Sequence, residues 1–203
     1  MAFEILQIPR DEKSVRAYLE QYKAIRLYSL KTAPEAFGST YAREAAFTDD
    51  VWYNRLANPK AATFIALRAD RIVCTLTLVG PLPCSPEESS PTHDPWTVLG
   101  GNTNPTYLHW RINGMFTLPE ARGQGVAKAL VERATKYGSD EASKSGKVFA
   151  GSIAVHEDNP AARSLYAKCG FVPIKEEPLV PGSPSTVLLL KYAPSSPEVN
   201  GHA

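Results

Sequence analysis

Three features of the sequence predict an α+β fold. Short apolar stretches alternate with amphipathic helical ones along the chain, two strands stand close enough to form an antiparallel hairpin, and a later strand runs through a glycine-containing turn into a helix. The chain has 203 residues, 43% of them hydrophobic and 21% charged. That is enough for one domain with an insertion and a proper core. Its 22 Lys and Arg balance 21 Asp and Glu, for a formal net charge of +1. Such a balance excludes a nucleic-acid binder that works by neutralising phosphates, and leaves room for one local anion site. No apolar run of about 18 residues exists and the amino terminus lacks an apolar signal core, so an intracellular, cytoplasmic protein with no membrane partner is expected.

Taken in order, Phe3 to Ile8 reads as a strand stopped by Pro9. A helix follows from Asp11-Glu12, with Val15, Leu19, Tyr22 and Ile25 forming one apolar stripe. After the loop at Thr32-Ala33-Pro34, a second helical region is expected to end near Trp52 and Leu56, closed by Asn58-Pro59. Thr63 to Leu67 and Ile72 to Val79 form the hairpin, turning at Ala69-Asp70. Its second strand alternates Cys74, Leu76 and Leu78 with Val73, Thr75 and Thr77 on opposite faces. Residues 81–106, dense in proline and serine, read as a loop insertion.

Tyr107 to Leu118 is the next strand, and Val126, Leu130, Val131, Ala134 and Tyr137 mark one face of the helix after it. Val148 to Val155 is a strand, and Asn159-Pro160 starts a short helix that runs to Cys169 and is capped by Gly170. Phe171 to Ile174 and Ser185 to Tyr192 close the domain around a turn at Pro178 to Pro184. The domain therefore covers residues 1–192, and 193–203 is expected to be a disordered tail. Three cysteines, Cys74, Cys84 and Cys169, form no close pair, so reduced thiols are expected. The four histidines show no metal-ligand spacing, and no metal is expected.

The segment Leu118-Pro119-Glu120-Ala121-Arg122-Gly123-Gln124-Gly125-Val126-Ala127 sets a glycine turn between a strand and a helix. Glycines at 123 and 125 and a small Ala127 let a ligand reach the unpaired N–H groups of the helix start, which suits a pyrophosphate. A P-loop is excluded because no Gly-Lys-Ser/Thr follows, and a dinucleotide fold because the turn comes after several strands and an antiparallel hairpin.

The same turn, Arg122-Gly123-Gln124-Gly125-Val126-Ala127, resembles the Arg/Gln-x-x-Gly-x-Gly/Ala signature of the GNAT superfamily of acyl-CoA-dependent N-acetyltransferases. Downstream, Asn159-Pro160-Ala161-Ala162-Arg163-Ser164-Leu165-Tyr166-Ala167-Lys168-Cys169-Gly170-Phe171 resembles that superfamily's next block. The two together cover roughly Tyr107 to Phe171. The resemblance implies a three-layer arrangement with helices on both faces of a mixed, mostly antiparallel sheet, splayed between strands four and five. It implies acetyl-CoA as co-substrate, with Met115, Phe116 and Thr117 along the pantetheine arm and the pyrophosphate held by Gly123, Gln124, Gly125, Val126, Ala127 and Lys128. Arg122 opens the motif, and its side chain is read mainly as a brace for the turn.

The implied reaction is direct attack of an amine on the thioester, both substrates bound together. Tyr166 matches the superfamily tyrosine that donates a proton to the departing thiolate. The glutamate that some relatives carry late on the fifth strand corresponds to Ala154 here, so the base is open between His156, His109 and ordered water. Asn159 has two readings, a helix cap alone or a cap that also touches CoA. Cys169 is read as an inert packed thiol and Cys84 as the reactive one. A small-molecule amine is the expected acceptor, with the protein a monomer or homodimer. The alternatives are acetylation of protein N-termini or lysines, and a non-catalytic acyl-CoA-binding module.

Overall fold

The computed structural model describes residues 3–82, 106–178 and 186–193. Most of the proline-rich insertion, with Cys84, most of the 178–184 turn and nearly all of the tail lie outside the described residues. In chain order the elements are β1 (Glu4–Gln7), α1 (Glu12–Thr32), a 3-10 turn (Pro34–Ala36), α2 (Tyr41–Ala45), α3 (Asp49–Ala57), β2 (Ala61–Arg68), β3 (Arg71–Val79) and β4 (Tyr107–Thr117). A second 3-10 turn (Pro119–Ala121) leads to α4 (Val126–Lys144), β5 (Val148–His156), α5 (Pro160–Lys168), β6 (Phe171–Pro178) and β7 (Thr186–Tyr192). The strands form one sheet in the order β1-β2-β3-β4-β5-β7-β6, with every neighbouring pair antiparallel except β4 with β5.

Helices cover both faces, as the apolar stripes require. On one side Tyr137 of α4 meets the rings of Phe64 and Trp110 edge-on, and a Cβ at Gly138 would collide with Phe149. On the other, the predicted α1 stripe of Val15, Leu19, Tyr22 and Ile25 is buried, and Tyr22 packs edge-on against Trp52 of α3. The hairpin turns through Ala69 and Asp70 with φ of 47° and 59°, the mirror-image turn that matches strand twist. Asn159 caps α5 by accepting from the Ala162 N–H at 3.0 Å, and Gly170 ends it with φ of 83°.

Two expectations needed correction. The second helical region is two helices, α2 and α3, because Thr40 starts one by accepting from the Arg43 N–H and Thr48 starts the other. β6 continues past Ile174 to Pro178; as an edge strand it keeps an exposed, charged sequence with no apolar face for periodicity to follow.

The helical layer is held by one carboxylate. Glu44 of α2 is 1% exposed, receives a fork from Arg26 of α1 at 2.7 and 3.0 Å, and takes Arg55 of α3 at 2.7 Å. Burial pushes its pKa up, but the hydrogen bonds from the two arginines outweigh that and bring it down to about 2. Arg26 also stacks over Phe37, which follows the first 3-10 turn, so the ion cluster positions that segment.

Within the sheet a second buried polar pair joins β4 to β5: His109 Nε2 and the Ser152 hydroxyl lie 2.7 Å apart, both fully buried. Burial, with Arg111 and Lys191 nearby, lowers the His109 pKa to about 3, so the imidazole is neutral.

Two predictions follow from these groups. Glu44→Ala strands two half-buried guanidinium groups and should lower unfolding free energy by about 3–5 kcal/mol, measured by urea denaturation. Because His109 binds a proton near pH 6.5 when unfolded but only near pH 3 when folded, its contribution is complete above pH 6.5 and declines as pH falls toward 3. A urea series across pH 7 to 4 should show a shallower decline for His109→Gln than for the parent.

Candidate active site

The geometry of the site follows from where strand pairing stops. β4 and β5 pair only from Tyr107↔Val148 to Arg111↔Ser152. Beyond that rung β4 stays with β3, as far as Thr117↔Cys74, and β5 keeps β7 on its opposite edge, from Ser152↔Lys191 to His156↔Val187. A bulge in the β3–β4 register between Thr75 and Thr77, with Gly114 at φ of 62°, bends β4 at this point. The strands part, and among the described residues no strand pairs with the β5-facing edge of Asn113 to Thr117.

The fork opens into a cavity of about 620 Å³. Met115, Phe116 and Thr117 form the β4 wall, His156 the end of β5, and Asn159, Ala161, Ala162 and Leu165 the α5 side. Ala33 to Phe37 cover it from the helical layer, where Phe37 packs on Phe116 with centroids 6.4 Å apart. At one end lie Ala121, Arg122, Gly123, Gly125, Val126 and Ala127. Gly123 and Gly125 have φ of 72° and 78°, and a Cβ at either would meet nothing within 4 Å, so the space over this turn is open. Gly125 starts α4 with no side chain capping it, and the first N–H groups of the helix are left to an external acceptor. An uncapped helix start facing a roomy glycine turn fits a pyrophosphate, and an unpaired strand edge fits a chain of amides.

The structure brings most of the candidate residues together and places Gln124, Lys128, Tyr166 and His109 off the cavity lining. Arg122 braces the turn: its Nε donates to the Thr117 carbonyl at 3.1 Å and the guanidinium lies over the Phe116 ring. Gln124 and Lys128 do not line the cavity. The Gln124 side chain bonds backward to Arg68 and to the Glu120 carbonyl, while Lys128 pairs with Glu132 one helical turn on.

Tyr166 is not a lining residue either. It stands one helical turn after Ala162, on the same face of α5, with its ring 2% exposed and edge-on to Phe171. Burial, reinforced by the neighbouring Cys74 and Cys169, raises its pKa well above the ordinary tyrosine range, so the phenol keeps its proton. Cys74 in turn lies 3.1 Å from the Thr117 hydroxyl, within hydrogen-bond distance of β4.

His156 lines the cavity, and its buried Nε2 has no hydrogen-bond partner. His109 is bonded to Ser152 and is not among the lining residues. With its pKa lowered to about 3 by burial, it is too weak a base to serve. Burial also raises the Cys169 thiol to about 11 and the Cys74 thiol to about 12, so both stay protonated. Ala33 to Phe37 form their wall of the cavity through the Glu44 cluster, whose Arg26 stacks over Phe37.

Comparison with known proteins agrees with this geometry. The chain matches the model of the acetyltransferase (GNAT) family over residues 24–171. No curated protein matches it. Among solved structures, a GNAT-family acetyltransferase from Streptococcus pneumoniae is 16% identical, with a TM-score of 0.63 over 94% of this chain and 98% of that one. Arabidopsis thaliana NAA60 in complex with acetyl-CoA is 17% identical, with a TM-score of 0.64 over 94% and 98%. A ribosomal-protein-alanine N-acetyltransferase from Brucella melitensis is 15% identical, with a TM-score of 0.63 over 93% and 98%. At these identities the structures establish the shared fold, and the family match covers most of the chain. The chain belongs to the acetyltransferase (GNAT) family, whose members are acetyl-CoA-dependent N-acetyltransferases.

Proposed function

We propose that the protein transfers an acetyl group from acetyl-CoA to the primary amine of a small molecule, both substrates being held in the forked cleft. The observation that carries this reading is the end of β4–β5 pairing at Arg111↔Ser152, beyond which one cavity lies between an unpaired strand edge and an uncapped helix start. In this reading the backbone of Gly123, Gly125, Val126 and Ala127 holds the pyrophosphate. Met115, Phe116 and Thr117 offer backbone groups to the pantetheine amides, and Asn159 caps α5 at the edge of the same cleft.

When bound, acetyl-CoA supplies an activated acyl group as a thioester. The protein holds the acceptor nitrogen against it and manages two protons. His156, whose Nε2 is free of partners, accepts the proton that the amine loses. Tyr166, kept neutral by burial, gives its proton to the sulfur as the C–S bond breaks and the C–N bond forms. Proximity of two bound substrates supplies much of the acceleration.

Acetylation of a protein N-terminus is the alternative, and the Brucella melitensis relative, named for a ribosomal-protein alanine, has the same fold. Thiol release from acetyl-CoA against a panel of amines, amino acids and N-terminal peptides separates the two, because only the true acceptor class raises the rate above hydrolysis. Binding without transfer to any amine would overturn both. Within the active pair, Tyr166→Phe should reduce kcat by about 100-fold and leave acetyl-CoA affinity unchanged. An unaltered kcat removes Tyr166 from the mechanism.

A further inference from the structure

Arg68 closes β2, one residue before the left-handed turn at Ala69 and Asp70. The β2–β3 register shifts between Ala66 and Leu67, and this irregularity lies just before the arginine. The guanidinium rests over the Phe3 ring, 4.6 Å from its centroid. From there Nη2 donates to Gln124 Oε1 at 2.7 Å and Nη1 reaches the Glu120 carbonyl at 3.4 Å, across more than fifty residues of chain. Gln124 completes the bracket by donating Nε2 to the same Glu120 carbonyl at 2.9 Å. On the other side of the hairpin tip, Arg71 pairs with the Glu120 carboxylate at 3.2 Å.

Gln124 sits between the two glycines whose backbones face the cavity, yet its own side chain turns the opposite way. A turn with two left-handed glycines is soft, and a soft anion cradle loses affinity to the entropy of ordering it. Fixing the intervening side chain from behind holds the N–H groups on either side in place before the ligand arrives.

We propose that Arg68 is a positioning residue for the donor site: through Gln124 it pre-forms the glycine turn that receives the CoA pyrophosphate, without touching the ligand. This rests on the reading of that turn as the pyrophosphate site, and the test separates the two. Calorimetric titration of the full-length protein with CoA needs no knowledge of the acceptor. Arg68→Ala and Gln124→Ala should each raise the Kd about tenfold. The double variant should be no weaker than either single, since one bracket is lost in all three. Arg68→Lys should not restore affinity, because a lysine ammonium lacks the planar fork that spans both acceptors. Circular dichroism and Tm confirm that each variant is folded at the titration temperature.

Gly125→Val, which fills the cradle and strains a φ of 78°, serves as the control on the site itself. Loss of CoA binding in Gly125→Val with an unchanged Kd in Arg68→Ala overturns the role of Arg68 and leaves the site standing. An unchanged Kd in a folded Gly125→Val overturns the site. Additive losses in the double variant, or full rescue by lysine, overturn the bracket in favour of a direct charge effect.

Discussion

Parallel pairing between β4 and β5 lasts for five rungs and ends at Ser152, and the cleft exists because of that ending. A continuous pairing to Thr117 would leave no space for a donor and no free backbone edge. One local feature marks the point of parting: the bulge in the β3–β4 register, with Gly114 at φ of 62°, interrupts β4 just past the last rung it shares with β5. The buried His109–Ser152 pair ties the third of these rungs to the last. Neither group has another described partner for that bond, so its loss would leave desolvated polar atoms within the sheet.

The helical layer answers to a second constraint of the same kind. The first 3-10 turn buries no side chain, and α2 buries only Glu44. Glu44 compensates by drawing Arg26 and Arg55 onto one carboxylate. Replacing such a cluster with apolar residues could stabilise a protein, but it would surrender directionality. Here direction matters, because the Arg26 guanidinium also seats Phe37, and Phe37 with Phe116 forms the cover of the cavity.

How far the sequence exposed this plan depends on the range of the interactions involved. Periodicity sufficed for α1, the hairpin, α4 and α5, since each buries a single face that recurs every two or about 3.6 residues. The glycine turn and the Asn159 cap were also legible, because both work through neighbours within four residues. Arg68 and Glu44 were not. Each acts on a partner ten to eighty residues away, and a lone arginine or glutamate in a helix or strand has the same local pattern whether it braces a site or faces water. The extension of β6 was missed for the opposite reason: an edge strand buries so little that Lys175, Glu176 and Glu177 satisfy its register while hiding it from any hydrophobic count.

The near-zero net charge and the anion site are compatible because the proposed site uses backbone charge. An α-helix start carries roughly half a unit of positive charge without a basic side chain, and the cationic side chains nearest the turn are engaged elsewhere: Arg122 to Thr117, Lys128 to Glu132, Arg68 to Gln124. The same economy applies to the strand edge. Apart from the Thr117 carbonyl, which Arg122 holds, the backbone groups on the β5-facing edge of Asn113 to Thr117 need partners once water is displaced from the cleft, and a ligand arm built of amides can supply them while its anionic end meets α4. A free phosphate would satisfy the helix start but leave the edge unpaired; an uncharged amide would do the reverse. Joined in one cavity, the two demands select a ligand that carries both groups, and this is the chemistry of acetyl-CoA.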